Sequence, residues 1–406
     1  MLTKEQNELL TRVNDDAPMG KYMKMFWIPA VRSGRLERGG DPIRVRLFGK
    51  NYVAFRADNG EVGIFNEGCP HRGVSLTTAR NEDNALTCLY HGWKFDVSGK
   101  TVDAPTEPPE RVAHFCKKVP LKSYPVREAG GMVWTYVGEG EPTQFPEFEF
   151  NTLPEENVLV RIALINANWL QVLEGTVDSA HVSILHQESS KKVSAEVNKT
   201  LYDPSPRYEV DEQDYGYRAG ALRKMPDGSQ YVRISEFVQP AWSFIPKNPK
   251  EHHVAAFCVP IDDENTAQVF IFYNFNRPLS FEDAAVLQAQ FGVDPTAPAD
   301  NFYEGGSLKW AQKREMLKNH FTGMYGVLVE DYIIVESMGP IQDRTQEYLG
   351  SSDSFITRVR RFLLNQVKAV QEGRIPKGLD KEIDYPGIRS TNAVMPADTD
   401  WRLAPK

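Results

Sequence analysis

Hydrophobic positions recur with a helical period near both ends of the chain. Thr3, Lys4, Glu5 and Gln6 precede Leu9, Leu10 and Val13, a capping box that predicts a short amino-terminal helix. Far downstream, Ile356, Val359, Phe362, Leu363, Val367 and Val370 return every three or four residues until Gly373 and Pro376 close the segment, which predicts an amphipathic helix. Between them, Arg44-Val45-Arg46-Leu47-Phe48, Asn51-Tyr52-Val53-Ala54-Phe55 and Gly131 to Val137 are short, β-branched or aromatic, and Asn59-Gly60 and Ser98-Gly99 read as turns. Such a stretch reads as a small all-β domain. Gly138-Glu139-Gly140-Glu141-Pro142 then reads as a linker. Beyond it lie a strand at Gln268–Tyr273, a helix start at Ser280 with Asp283, and a helix-compatible segment from Ser307 to His320. The fold class expected is α+β: a small all-β domain (26–138) inserted in a larger domain (139–406) with an antiparallel sheet flanked by helices, to which the helix in 1–25 also belongs.

Composition narrows the function. Of 406 residues, 47 are Lys or Arg and 55 Asp or Glu, a net charge of −8. No basic surplus exists to pair with nucleic acid or anionic lipid. No apolar run approaches the ~18 residues of a membrane span, and the first residues lack a signal-like apolar stretch; a cytoplasmic protein is expected. The four cysteines, Cys69, Cys88, Cys116 and Cys258, are too few for a disulfide framework, so each is a candidate metal ligand.

Two of them stand in Cys69-Pro70-His71-Arg72-Gly73 and Cys88-Leu89-Tyr90-His91-Gly92-Trp93. Each loop offers one thiolate and one imidazole. A Rieske [2Fe-2S] centre needs two thiolates on one iron and two imidazoles on the other. A Cys₂His₂ zinc site is the rival, but there the cysteines usually precede the histidines, whereas here the order is Cys, His, Cys, His. A second constellation follows at Asp178-Ser179-Ala180-His181-Val182-Ser183-Ile184-Leu185-His186. If the segment is helical, Asp178 and His181 share a face. Two imidazoles and a carboxylate make the facial triad of non-haem Fe(II), although Asp178 is as easily an orienting group as a ligand.

The two loops, with Trp93-Lys94-Phe95-Asp96 behind them, resemble the Rieske domain of the Rieske non-haem iron oxygenases. Rieske proteins of respiratory complexes add a disulfide-forming cysteine to each loop, and neither loop here has one. The resemblance extends from Met19-Gly20 to Gly350-Ser351-Ser352-Asp353, and its texture is similar to the phthalate dioxygenase-like group, whose catalytic chains form homotrimers without a β subunit. It implies that His181 and His186 are iron ligands and that Asp178 bridges to the Rieske centre of a neighbouring subunit. It also implies a third ligand far down the chain, an Asp preceded by an acidic or amide residue. Glu330-Asp331 fits, so Asp331 is assigned, ahead of Glu330 and Glu336. Some members carry an asparagine just before the bridging Asp. Glu174-Gly175-Thr176-Val177 offers none, so that role passes to Asn168 or Gln171 or is absent.

No Gly-x-Gly-x-x-Gly follows a strand and no plant-type ferredoxin spacing occurs. Electrons from NAD(P)H are therefore expected through a separate flavin and iron-sulfur reductase. The resemblance implies a terminal oxygenase with a Rieske cluster and mononuclear Fe(II), using O₂ to dihydroxylate a phthalate-type aromatic carboxylate, as a homotrimer or dimer of trimers. O-demethylation of a methoxylated aromatic acid is the alternative chemistry. A Rieske electron carrier is the alternative class, and it leaves the Asp-His-His constellation without a role. Among Arg207, Arg218, Arg223 and Arg233, one is expected to clamp the substrate carboxylate bidentately; the choice is Arg207, after Pro204-Ser205-Pro206. His114, His252, His253 and His320 lack a partner at ligand spacing. Cys116 and Cys258 read as buried small hydrophobes, Trp93 as packing beneath its loop, and Arg358, Arg360 and Arg361 as a solvated helix face or a dock for an acidic redox partner.

Overall fold

The computed structural model describes residues 1–188, 198–246, 252–279, 298–303, 312–324 and 326–405. The chain separates into two compact units, Lys24–Phe145 and Met1–Met23 with Pro146–Lys406.

Two short helices open the large unit, α1 (Lys4–Thr11) and α2 (Pro18–Met23). The Thr3 side chain accepts from the Gln6 N–H and the Gln6 side chain accepts from the Thr3 N–H, so the capping box forms as its residues dictate.

The small unit holds three antiparallel sheets. The first joins β1 (Trp27–Arg32), β10 (Met132–Tyr136) and β9 (Val126–Ala129); the second joins β2 (Ile43–Leu47), β3 (Lys50–Arg56) and β4 (Val62–Asn66). The third is a ladder of three-residue strands, β5 (Arg80–Glu82), β6 (Ala85–Thr87), β7 (Lys94–Asp96) and β8 (Thr101–Asp103), followed by helix α3 (Pro109–Cys116). Its core contains Val53, Phe55, Phe65, Leu86, Trp93 and Phe95. Residues 139–145 belong to this unit rather than to the large one. Phe145 packs edge-on against Trp27 and Trp134, and the Thr143 carbonyl accepts from the Trp27 indole. Burying aromatic faces outweighs the linker-like composition just before them.

The large unit is built on one antiparallel sheet in the order β11 (Val158–Ile165), β17 (Thr266–Tyr273), β16 (His253–Pro260), β15 (Trp242–Ile245), β14 (Gln230–Val238), β13 (Gly216–Lys224) and β12 (Arg207–Gln213). A last strand, β18 (Thr391–Met395), pairs with Gln230–Ile234 of β14, while Glu236–Val238 pairs with β15. Every residue of β14 and β16 is buried, as expected of central strands covered on both faces, whereas edge strand β12 carries Glu209, Asp211 and Glu212 and has no fully buried residue. Helix α4 (Trp169–Val177) packs on β15 and β16, with α5 (Val327–Ser337) beside it, and α6 (Ser354–Gln371) lies against α1, α2 and β13. The helix start at Ser280 falls outside the described residues, and of 307–320 the described part holds a single 3-10 turn, Arg314–Lys318.

Candidate metal centres and active site

The two Cys-His loops are near copies in their backbone. The Cys69 N–H donates to the Val74 carbonyl and the Gly73 N–H to the Cys69 carbonyl, both at 2.8 Å; Cys88 with Trp93 and Gly92 repeats the pattern at 2.8 and 2.9 Å. Gly73 and Gly92 take φ of +77° and +74°, which costs a glycine little, and a Cβ on Gly92 would lie 2.8 Å from Pro105 Cγ. Both cysteines are 3% exposed, while His71 and His91 are half-buried, with ring centroids 4.4 Å apart. Trp93 is buried and stacks on His71 at 4.4 Å. Burial pushes the Cys69 thiol up to about 11, beside Cys88, even though backbone N–H groups of His71 and Arg72 hydrogen-bond its sulfur. His91 Nδ1 is buried without a hydrogen-bond partner. Two buried sulfurs, two neighbouring imidazoles and an orphaned ring nitrogen fit a Rieske cluster.

The second constellation is not one helix. α4 ends at Val177, Asp178 caps it in an extended conformation, and a 3-10 turn at His181–Ser183 follows. The chain bends because the Asp178 carboxylate takes the N–H groups of Ala180 (2.7 Å) and His181 (3.3 Å) for itself. Its Oδ2 also faces His181 Nδ1 at 2.9 Å. Burial would raise this carboxyl, but the His181 contacts outweigh it and hold the group down to about 2.

Asp331 arrives from α5, and ligand atoms of His181, His186 and Asp331 lie within 4.8 Å of one another. The His186 Nε2 to Asp331 Oδ1 distance is 2.9 Å, yet that nitrogen makes no hydrogen bond; a close approach of two donor atoms without a hydrogen bond between them fits a shared metal ion. Glu330, fully buried, faces His186 Nδ1 at 2.8 Å and is itself held by the Thr322 hydroxyl. Burial opposes charge on His186, but Asp331 and Glu330 prevail and hold the imidazole up to about 9, a charge that a bound cation would replace. Each histidine thus has a carboxylate on Nδ1, which orients the ring and directs Nε2 inward. Glu336 is used elsewhere, accepting from the Asn166 N–H and the Tyr303 hydroxyl.

A cavity of ≈ 110 Å³ opens beside the triad, with Val172, Val254, Phe270, Leu328 and Val335 among its apolar walls. That is similar to the ~150 Å³ void that accepts benzene. Arg207 does not reach it. Its side chain is 69% exposed on edge strand β12 and ion-pairs with Glu209 two residues on, on the same strand face. The arginine in the cavity wall is Arg233 on β14, with Ser235 two residues on. Arg233 is 5% exposed, its Nε faces Ser179 Oγ at 3.2 Å, and its Nη1 has no partner. A cation inside the buried run from Tyr231 to Val238 was the signal for it, since such a charge needs a counter-charge. Arg223, also buried, donates to the Ser179 and Asp203 carbonyls, and Arg218 lies 3.3 Å from Glu236.

Asn168 and Gln171 are not site amides. Asn168 caps α4 and donates to the Thr11 and Asp263 carbonyls, and Gln171 ties α4 to Val335, Gly339 and Gln342. Arg360 is not on a solvated face: it is 4% exposed and paired with Glu174 and Glu347. It falls three residues before Leu363 and one after Val359, on the buried side of α6.

Comparison with known proteins assigns a family to each of two stretches of the chain. The Rieske [2Fe-2S] domain family matches residues 26–125, and the family described as LigXa C-terminal domain like matches residues 135–405. These define an oxygenase subunit of the Rieske class, an oxidoreductase that uses O₂. The phthalate 4,5-dioxygenase oxygenase subunit of Pseudomonas putida is 40% identical, covering 99% of this chain and 94% of that one. The 3-chlorobenzoate-3,4-dioxygenase oxygenase subunit of Comamonas testosteroni is 34% identical over 99% and 97%. Among solved structures, the terminal oxygenase of carbazole 1,9a-dioxygenase from Nocardioides aromaticivorans IC177 shares the fold, with TM-score 0.58 and 20% identity over 89% of this chain and 98% of that one. The chain belongs to the Rieske non-haem iron oxygenases, as a catalytic subunit of the phthalate dioxygenase-like group. Its cofactors are a Rieske cluster and a mononuclear iron, and its electrons come from a separate reductase. Among the described residues no helix is long and apolar enough to cross a membrane.

Proposed function

We propose that this oxygenase dihydroxylates the ring of an aromatic carboxylate of the phthalate or benzoate type, with Arg233 as the carboxylate anchor. Cys69, His71, Cys88 and His91 would hold the cluster, and His181, His186 and Asp331 the mononuclear iron. When bound, the two centres supply stored electrons and a site for O₂ activation. The observation that carries the substrate class is Arg233: a buried guanidinium with an unpartnered nitrogen in the wall of a cavity whose surface is mostly apolar away from the His181, His186 and Asp331 cluster. Phe270, Leu328 and Val335 would hold the ring and exclude water, and Asp178 and Glu330 keep the Nδ1 protons of His181 and His186 in place. The reading carries a homotrimer with it, in which Asp178 meets the Rieske centre of the neighbouring chain.

Turnover of phthalate and benzoate with a surrogate reductase under ¹⁸O₂ tests this. The expected product is a cis-dihydrodiol with two labelled atoms. Formaldehyde from a methoxylated acid instead would establish demethylation, and turnover confined to uncharged aromatics would remove the carboxylate reading. Arg233→Ala is expected to weaken phthalate binding about 30-fold, the equivalent of ~2 kcal/mol for a desolvated charge pair. Equilibrium binding to the variant checks it, and Arg207→Ala is expected to bind like wild type.

A further inference from the structure

The substrate end of the cavity and the Asp178 end meet at one residue. Ser179 is 3% exposed and stands directly after Asp178. Its hydroxyl faces Arg233 Nε at 3.2 Å and Arg223 Nη1 at 3.3 Å. Its backbone N–H donates to the Tyr208 hydroxyl at 2.9 Å. Tyr208, on β12, in turn donates to Asp178 Oδ1 at 3.2 Å. The direction is fixed by proton count: the hydroxyl has one proton, its partner at Ser179 is already a donor, and a carboxylate only accepts. Among the described residues, Asp178 Oδ1 otherwise accepts from the Ala180 N–H, while Oδ2 faces His181.

We propose that Tyr208 is a positioning residue that holds the Asp178 carboxylate on His181 and, through Ser179, transmits occupancy of the Arg233 end to that pair. The hold on Asp178 stands by itself; the transmission rests on reading Arg233 as the carboxylate anchor. A carboxylate taken up at the open Nη1 side of Arg233 draws on the same guanidinium whose Nε faces Ser179 Oγ. Any adjustment of Ser179 is passed on, because its N–H is tied to the same hydroxyl that grips Asp178. The contacts form one contiguous hydrogen-bonded path, and without the hydroxyl the carboxylate loses one of its fixed partners and the imidazole its fixed orientation.

Tyr208→Phe tests this in the full chain with both centres loaded, since it removes one oxygen and keeps the ring. Iron content and phthalate affinity are expected within about twofold of wild type. At saturating phthalate, where affinity no longer enters, single-turnover oxidation of the reduced cluster is expected to slow about tenfold. The EPR line shape of the nitric oxide complex of the mononuclear Fe(II) should shift on phthalate addition in wild type and lose most of that shift in the variant. A merely structural role for the ring would move neither. Wild-type cluster oxidation in Tyr208→Phe overturns the hold on Asp178, and an unaltered phthalate-induced shift overturns the transmission. Failure of the anchor reading is seen separately, as undiminished phthalate binding by Arg233→Ala.

Discussion

Asp331→Ala is expected to bring oxygenation below detection and to remove the mononuclear iron, while the reduced Rieske EPR signal survives. Cys69→Ser is expected to do the reverse, losing the cluster and its red-brown colour while iron at the other site remains. Two imidazoles without the carboxylate leave an incomplete facial triad, and Glu330 cannot take its place because it already faces His186 Nδ1 and the Thr322 hydroxyl. Cys69 is equally without a substitute, since Cys116 and Cys258 are both buried and lie outside the two loops. The losses should be independent, because each constellation is built within its own compact unit. Iron and sulfide analysis with EPR checks both variants: about three irons per chain in wild type, two in Asp331→Ala. An Asp331→Ala protein that keeps the third iron would transfer the ligand role elsewhere.

Glu174→Gln is expected to destabilise the large unit by about 3–5 kcal/mol, the usual cost of breaking a buried ion pair from one side. Glu174, on α4, accepts from Arg344 at 2.9 Å and from Arg360 at 2.6 Å, and all three side chains are buried. The amide of Gln keeps one acceptor oxygen but removes the negative charge that the buried guanidinium groups of Arg344 and Arg360 share. The pH dependence follows from the same contacts. Burial alone would raise the Glu174 carboxyl, but the two guanidinium groups outweigh it and hold it below the ordinary value. A depressed carboxyl stabilises the fold fully above its unfolded value near ~4.3, and the contribution fades as pH falls through the folded value. The gap between wild type and Glu174→Gln should therefore be widest near neutrality, on the order of 10 °C in thermal midpoint, and narrow below pH ~4. Equal midpoints at pH 7 would show that the network contributes little. Because the Asp178 N–H bonds the Glu174 carbonyl, loosening α4 should also lower mononuclear iron occupancy in the variant.

Neighbouring residues and strong local signals were legible in the chain itself. Thr3 with Gln6, the Ile356 to Val370 periodicity and the run at Gln268–Tyr273 each settle a local backbone choice, and each forms as its pattern requires. Each Cys-His pair is also visible in the sequence, because its two residues are separated by one or two others and local turn geometry alone sets their reach. The segment from Asp178 to His186 is legible in its residue types but not in its conformation: its spacing suits a helix, and the carboxylate of Asp178 diverts the backbone instead.

What the sequence alone determined is the class of chemistry, since soft and hard ligands at short spacing specify which metal centres can form. The tertiary structure decided the partners. Asp331 stands 145 residues beyond His186 in the chain, yet α5 lays it 2.9 Å from that imidazole. Arg207 and Arg233 look equivalent as letters, but one sits on a solvated edge strand and the other on a central strand buried on both faces. Arg360 looks like a surface charge until α6 turns it onto Glu174. Sheet order and helix packing set which side chains lose their water, and a charge that loses its water must find a counter-charge or a ligand.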